Sequence, residues 1–291
     1  ADAADAERKL ISELSSLLNG LYADTEALEE ESKPNPTTSY TSRNSYFTDA
    51  VIEDVAQALM DEYGYNYETA INKVYGSGYK IYTTQNYEYQ QIAEKVYEDL
   101  RNTPYTITKN DGTVEQLQGA MTIIDPYTGY VVAMVGGVGP KIYDRGLNWA
   151  TTYRPCGSAT KPISVYAPAI EMGASPASVV SNMPLPIAGG KNEKGDDDWP
   201  RNYGGSYYAG PQTLRQAIIN SHNTAAAQTL LSMVGVERSV DFLHRMGIDD
   251  KHIDATPFGL SLGSSGITPL QMAVAFGVLA DGGVYQEPIS V

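Results

Sequence analysis

Pro155-Cys156-Gly157-Ser158-Ala159-Thr160-Lys161-Pro162 is the stretch on which the reading of this chain turns. A serine and a lysine three residues apart share one face of a helix. Pro162 has no N–H to donate and is tolerated only in a first helical turn, which places Ser158 at the helix start. Backbone N–H groups are unpaired there and the dipole favours negative charge, so an alkoxide or a tetrahedral oxyanion at Ser158 would be stabilised. Burial would lower the lysine pKa and let it take the serine proton. Taken alone, Ser-x-x-Lys is a weak signal, because a helix cap beside a solvated lysine explains it as well. Cys156 reads as a small core residue, with an exposed thiol as the alternative.

A second element lies downstream. Ser221-His222-Asn223 falls between helices expected over 212–220 and 224–233, and a short connection of this kind can aim side chains into a cleft. A serine hydroxyl can relay a proton, and an asparagine amide both donates and accepts. This element is also weak alone, since Ser and Asn are common helix caps.

Hydrophobic periodicity sets the surroundings. Leu10, Leu14, Leu17 and Leu21 predict an amphipathic helix over 6–21, and the proline-broken run 32–38 predicts a linker. Helices are expected over 47–63, over 66–76 with Asn66 as cap, and around Ile92, Val96 and Leu100. The β-rich run 79–84 predicts a strand. Two further strands, 120–124 and 130–135, flank Asp125-Pro126-Tyr127-Thr128-Gly129, a turn sequence that predicts an antiparallel hairpin. Beyond it, helices are expected over 159–171, 236–246 and 269–280, the last with Thr268 as cap and Pro269 at its first position. A hairpin followed by many helices predicts an α+β fold.

Composition narrows the function. The 291 residues are 42% hydrophobic and 19% charged, enough for a packed core and an appendage. A net charge of −15 disfavours nucleic acid as a partner. The acidic runs 29–31 and 196–198 read as solvated loops, with a calcium site at the triple Asp as the alternative. The single cysteine excludes an intrachain disulfide, and the three histidines, His222, His244 and His252, lack metal-ligand spacing. Tyrosine is abundant, 22 residues against 4 Phe and 2 Trp, and suits half-buried surfaces. No apolar run reaches the length of a membrane span, so an anchor, if there is one, is expected outside these residues.

In order along the chain, Ser158-x-x-Lys161 and Ser221-x-Asn223 resemble two motifs of the serine penicillin-recognising enzymes. The flanks sharpen the likeness. Gly157 to Pro162 is similar to the nucleophile segment of high-molecular-weight penicillin-binding proteins, and Asn202 through Ala217 to their approach to the second motif. Asp125-Pro126-x-x-Gly129 with Gly136-Gly137 resembles their first hairpin. Lys80-Ile81-Tyr82-Thr83-Thr84 resembles the run before the transpeptidase core in class A members, and Leu262-Gly263 through Gly282-Gly283 the helical region after the second motif. The resemblance covers 46–291.

That resemblance implies a penicillin-binding, serine β-lactamase-like transpeptidase fold, an antiparallel sheet flanked by helices. It implies a helical connection from an upstream domain over 1–45, a linker and N-terminal part of the transpeptidase region over 46–118, and a transpeptidase core over 119–291. Ser158 would attack the carbonyl between the terminal D-alanines of a peptidoglycan stem peptide, with Lys161 as base. Ser221 would pass a proton to the departing D-alanine, and Asn223 would hold the donor amide. β-Lactams would acylate the same serine; no metal or organic cofactor is implied. An upstream glycosyltransferase domain and a membrane anchor would place the segment on the extracytoplasmic face of the bacterial membrane.

The same resemblance implies a third motif, Lys-Thr-Gly or Lys-Ser-Gly, on an edge strand. Lys191, Lys194 and Lys251 follow Lys161 and none begins one. The reading is therefore of a core truncated before that motif, in which these residues by themselves are a poor enzyme. A serine β-lactamase or D,D-carboxypeptidase remains an alternative, as does a truncated non-catalytic module of the same fold. A β-lactamase needs a residue that activates a deacylating water, and nothing in the chain is an obvious match for one.

Overall fold

The computed structural model describes residues 44–185, 199–204, 208 and 210–291. The expected helix over 6–21, the linker over 32–38 and the acidic runs at 29–31 and 196–198 lie outside the described residues. Side-chain caps start the first helices. Ser45 caps α1 (Tyr46–Tyr63), Asn66 caps α2 (Tyr67–Gly76) and Asn86 caps α3 (Tyr87–Glu98). Each accepts a backbone N–H that the helix start would leave unpaired. Leu100, expected on the third helix, lies beyond its end.

The strand expected over 79–84 does not form. Only the end of the run reaches a partner. Thr84 N–H donates to Ser290 O at 3.0 Å, and Asn86 N–H donates to Val132 O at 2.8 Å. Thr84 Oγ1 donates to the carbonyls of Val131 and Ile289. β-Propensity describes a side chain's fit to a pleated surface and supplies no neighbouring strand.

Two hairpins follow. β1 (Thr106–Thr108) and β2 (Val114–Gln116) pair antiparallel around Asn110-Asp111-Gly112, a turn signal that the reading of the sequence passed over. β3 (Met121–Ile124) and β4 (Val131–Val135) form the expected hairpin, with a register shift between Ile123 and Ile124. Val131 and Met134 of β4 are buried against Phe47 and Val51 of α1. The helix α9 (Pro269–Ala280) lies close over β3: a Cβ on Gly277 would stand 3.0 Å from Ile124 Cδ1.

A second, largely helical core carries the two motifs. Ile163, Tyr166, Leu214, Leu230, Leu243 and Leu260 are all fully buried in it. Burying each such aliphatic side chain stabilises the fold by about 1.5–3 kcal/mol. The elements, in chain order, are β5 (Arg154–Pro155), α4 (Ala167–Glu171), β6 (Val179–Asn182), β7 (Gly210–Thr213), α5 (Leu214–Ile219), α6 (Asn223–Thr229), α7 (Val236–Arg245), α8 (Pro257–Leu262) and β8 (Gly266–Ile267), before α9. β6 pairs antiparallel with β7, so the helix expected over 212–220 starts only at Leu214. The helix expected over 224–233 divides into α6 and a π turn, Leu230–Val234. Thr213 with Gln216 and Thr268 with Gln271 form capping boxes at α5 and α9. The described residues are an α+β fold with antiparallel sheet pairs among helices, as expected.

Candidate active site

The helix expected over 159–171 is one helical run of three pitches: a 3₁₀ turn over Gly157–Thr160, a π turn over Pro162–Tyr166, and α4. Two prolines explain this. Pro162 cannot donate to Ser158 O, which instead accepts from Lys161 N–H in an i→i−3 bond. Ala167 N–H then reaches back five residues to Pro162 O. Pro168 leaves Ser164 O without its helical donor, and Ser239 Oγ from α7 supplies one at 2.6 Å. Ser164 Oγ in turn donates to Leu260 O of α8 at 2.6 Å. The segment is thus held on both sides by buried side-chain hydrogen bonds.

The backbone just before Ser158 is held from the other side. β5 pairs with β8, and Gly157 N–H donates to Gly263 O at 3.0 Å. Gly263 ends α8 at φ 81°, and a Cβ there would stand 1.9 Å from Gly157 O. Gly263→Ala combines left-handed strain with a backbone clash and is expected to destabilise the fold by about 2–5 kcal/mol. Chemical denaturation checks this; an unchanged midpoint would mean that the Ser158 turn is not seated on Gly263.

Ser158 is exposed at the start of this run, whereas Lys161 is only 2% exposed. Lys161 Nζ donates to Ser221 O at 2.7 Å, to Ser221 Oγ at 3.2 Å and to Asn223 Oδ1 at 2.6 Å. An ammonium has three donors, and the second motif accepts all of them. Burial pushes the Lys161 pKa from 10.5 down to about 8. The two motifs, 60 residues apart, are therefore joined through the lysine. A direct bond between Ser158 Oγ and Lys161 Nζ, the contact that the helical spacing suggests, is absent among the described residues. The geometry accounts for it, because every Nζ proton points to the second motif.

Ser221 stands at φ 51°, one of two non-glycine residues with positive φ among those described. A serine in this region costs of order 1–3 kcal/mol and persists only where its surroundings fix it. Here Ser221 N–H donates to Ile218 O and His222 N–H to Ala217 O, while Lys161 holds the Ser221 carbonyl. His222 Nδ1 lies 2.9 Å from Gln212 Oε1, within hydrogen-bond distance. Burial, and then the Lys161 charge, hold His222 below the ordinary imidazole range. Cys156 is half-buried against the helical core, and burial pushes its thiol up, in line with the core reading.

Sequence reasoning missed the residues behind Asn223. Asn223 Nδ2 donates to Arg201 O at 2.6 Å, and Asn223 N–H donates to Asn202 Oδ1 at 2.8 Å. In the sequence Asn202 is only one residue of a longer similar stretch; nothing local marks it as a partner of α6. Among the described residues, no group of three or more His, Cys, Asp or Glu is arranged to hold a metal, and no helix is long and apolar enough to cross a membrane.

With this geometry in hand, comparison with known proteins is informative. The penicillin binding protein transpeptidase domain matches residues 119–291. Penicillin-binding protein 1A of Clostridium perfringens strain 13 is 35% identical over 252 residues, which are 82% of this chain and 37% of that protein. Penicillin-binding protein 1A of Streptococcus pneumoniae is 30% identical over 307 residues, 100% of this chain and 39% of that protein. The chain thus spans between a third and two fifths of the length of these two relatives. PonA1 from Mycobacterium tuberculosis, solved in complex with penicillin V, has a similar fold, with TM-score 0.63 and 22% identity over 84% of this chain and 61% of that one. Penicillin-Binding Protein 1A from Haemophilus influenzae gives TM-score 0.64 at 21% identity, over 89% of this chain and 49% of that one.

Proposed function

Because the chain belongs to the penicillin-binding protein transpeptidase family, we propose that it is the peptidoglycan cross-linking part of a class A synthase and that Ser158 is the residue acylated. The observation that carries this reading is the bonding of Lys161 Nζ to both Ser221 and Asn223, one turn after Ser158.

In the neutral state Lys161 keeps two N–H bonds, to Ser221 O and Asn223 Oδ1, and has a lone pair for a hydroxyl proton. Ser158 Oγ attacks the carbonyl carbon of the penultimate D-alanine while Lys161 Nζ takes its proton. Ser158 N–H, at the start of the helical run, faces the developing oxyanion. As the C–N bond breaks, the Ser221 hydroxyl gives its proton to the leaving D-alanine amine and regains one from Lys161, 3.2 Å away. Asn223 orients the donor peptide. An amine of a neighbouring stem then attacks the acyl-enzyme, and Ser158 Oγ leaves with its proton restored through Lys161. A β-lactam is opened in the same way, but its amine stays tethered and the acyl-enzyme persists.

The reading extends to organisation. Residues 1–45 connect to an upstream glycosyltransferase domain, 46–118 form the N-terminal part of the transpeptidase region, and an anchor elsewhere holds the protein at the outer face of the cytoplasmic membrane. The test uses the full-length protein. Incubation with a labelled penicillin followed by peptide mass spectrometry is expected to find the adduct on Ser158. An adduct on another residue would sink the assignment.

A further inference from the structure

α6 begins without a cap of its own: His222, at the capping position, makes no side-chain bond to the first turn. Helix starts leave N–H groups that need acceptors. Here the acceptor comes from elsewhere. Asn202 Oδ1 takes Asn223 N–H at 2.8 Å and Thr224 N–H at 3.3 Å, from 21 and 22 residues away. Asn202 is 6% exposed and is itself held in a buried network. Its Nδ2 donates to Asn182 Oδ1 at 2.8 Å, and Thr224 Oγ1 donates to Asn182 Oδ1 and to Asn202 Oδ1. Asn182 and Thr224 are fully buried.

The neighbouring backbone acts on the same residue. Arg201 O accepts from Asn223 Nδ2 at 2.6 Å, while Asn223 Oδ1 accepts from Lys161 Nζ at 2.6 Å. A carbonyl can only accept and an ammonium can only donate, so the Asn223 amide has one permitted orientation. Turning it over would set oxygen against oxygen at one end and N–H against ammonium at the other. The segment 201–202 therefore grips both the backbone and the side chain of the residue that holds Lys161.

We propose that Asn202 is a positioning residue of the transfer site: it caps α6 from outside the helix and thereby fixes Asn223 Oδ1 against Lys161 Nζ. The proposal rests on the reading of Ser158 as the acylated residue. Its chemistry distinguishes two substitutions. Asn202→Leu removes both the cap and the donor. Asn202→Asp keeps an acceptor for the two N–H groups, and a carboxylate suits a helix start. The lost donor can be replaced, because Asn182 Nδ2 has no partner among the described residues and a flipped Asn182 amide would present it to the carboxylate. The new negative charge, one residue removed from the Lys161 contact, favours the ammonium.

The experiment measures the acylation rate of the full-length protein with a fluorescent penicillin from pH 6.5 to 10, for wild type and both variants, alongside thermal melting. Among the described residues His222 is the other titratable group whose charge Lys161 affects, and burial, then the Lys161 charge, hold it below the ordinary imidazole range. Asn202→Asp is expected to acylate within several-fold of wild type at the top of the range, with the rising limb displaced upward by about one pH unit. Asn202→Leu is expected to lose at least about tenfold at every pH. A purely structural role would lower the melting temperature and leave the limb where it was, so an unmoved limb in Asn202→Asp overturns the proposal. So does a folded Asn202→Leu with the wild-type rate. If Asn202→Leu does not fold, the limb of Asn202→Asp decides alone. If neither folds, Asn202 is structural and the proposal fails. A wild-type protein unlabelled at Ser158 would sink the reading of the site itself, which is distinct from normal labelling with an unmoved limb.

Discussion

Replacing Lys161 with methionine in the full-length protein is expected to lower the rate of penicillin acylation by about 10³-fold, within the usual 10²–10⁴ range for a general base. The pH dependence should disappear with it. In the wild type, burial brings the Lys161 pKa to about 8. The direction follows from the charge: burial disfavours the ammonium, so the neutral base appears at lower pH than in water. Below about pH 8 the base is the minor form, and its amount falls about tenfold per pH unit. The wild-type rate should therefore climb from pH 6 to 8 and level off above. The three bonds to Ser221 and Asn223 act in the opposite direction, since each accepts from the charged form. They explain why a lysine that is 2% exposed still holds its proton at neutral pH. Lys161→Met keeps the volume of the side chain but leaves the Ser221 carbonyl, the Ser221 hydroxyl and Asn223 Oδ1 without their donor, so a loss of about 1–3 kcal/mol of stability is expected beside the loss of activity. A rate that is flat from pH 6 to 9, or a variant that loses less than tenfold, would show that Lys161 is not the base.

Ser158→Ala is expected to abolish covalent labelling and to reduce turnover by on the order of 10⁴–10⁶-fold, the range seen when a nucleophile of this kind is removed. Its structural cost should be small. Ser158 is exposed, and its hydroxyl makes no hydrogen bond among the described residues. A change of stability within about 0.5 kcal/mol is therefore expected. Ser221→Ala should differ in kind. It retains the nucleophile and the Lys161 bond to the residue 221 carbonyl but loses the proton relay, so labelling should persist at a rate reduced about 10²-fold or more. Ser221 also occupies a strained left-handed conformation that alanine tolerates no better. Rates and melting curves on the two variants together separate chemistry from folding; a Ser158→Ala protein that still labels normally would end the present assignment.

Local chemistry made much of this protein legible from its residues. Asn66 begins its helix as side-chain caps do anywhere. Thr268-Pro269 with Gln271 starts α9 where the capping signal places it. Asp125 to Gly129 turns the β3–β4 hairpin because Gly129, at φ 74°, adopts a conformation that other residues resist. Ser158, Lys161, Ser221 and Asn223 could be picked out as candidates because the residues of each motif lie within four positions of one another, and order along the chain linked them to a family.

What needed the tertiary structure was every contact whose two halves are far apart in sequence. The run 79–84 has the residues of a strand, but only Thr84 and Asn86 meet β4, and no propensity reports where a partner will be. Helical spacing pairs Ser158 with Lys161, yet the ammonium turns to Ser221 and Asn223, since three acceptors outweigh one neighbouring hydroxyl. Pro162 and Pro168 are visible in the sequence, but the hydroxyl of Ser239 that repairs the second gap comes from another helix. Asn202 is the sharpest case. A cap is read from the residues beside a helix, and this one arrives from 21 residues upstream. Short-range rules decide where elements begin and end, because their hydrogen bonds close within a few residues. The placing of an acceptor beside a buried ammonium is decided only when the chain has folded back on itself, because only then are the charge and its neutral partners brought together.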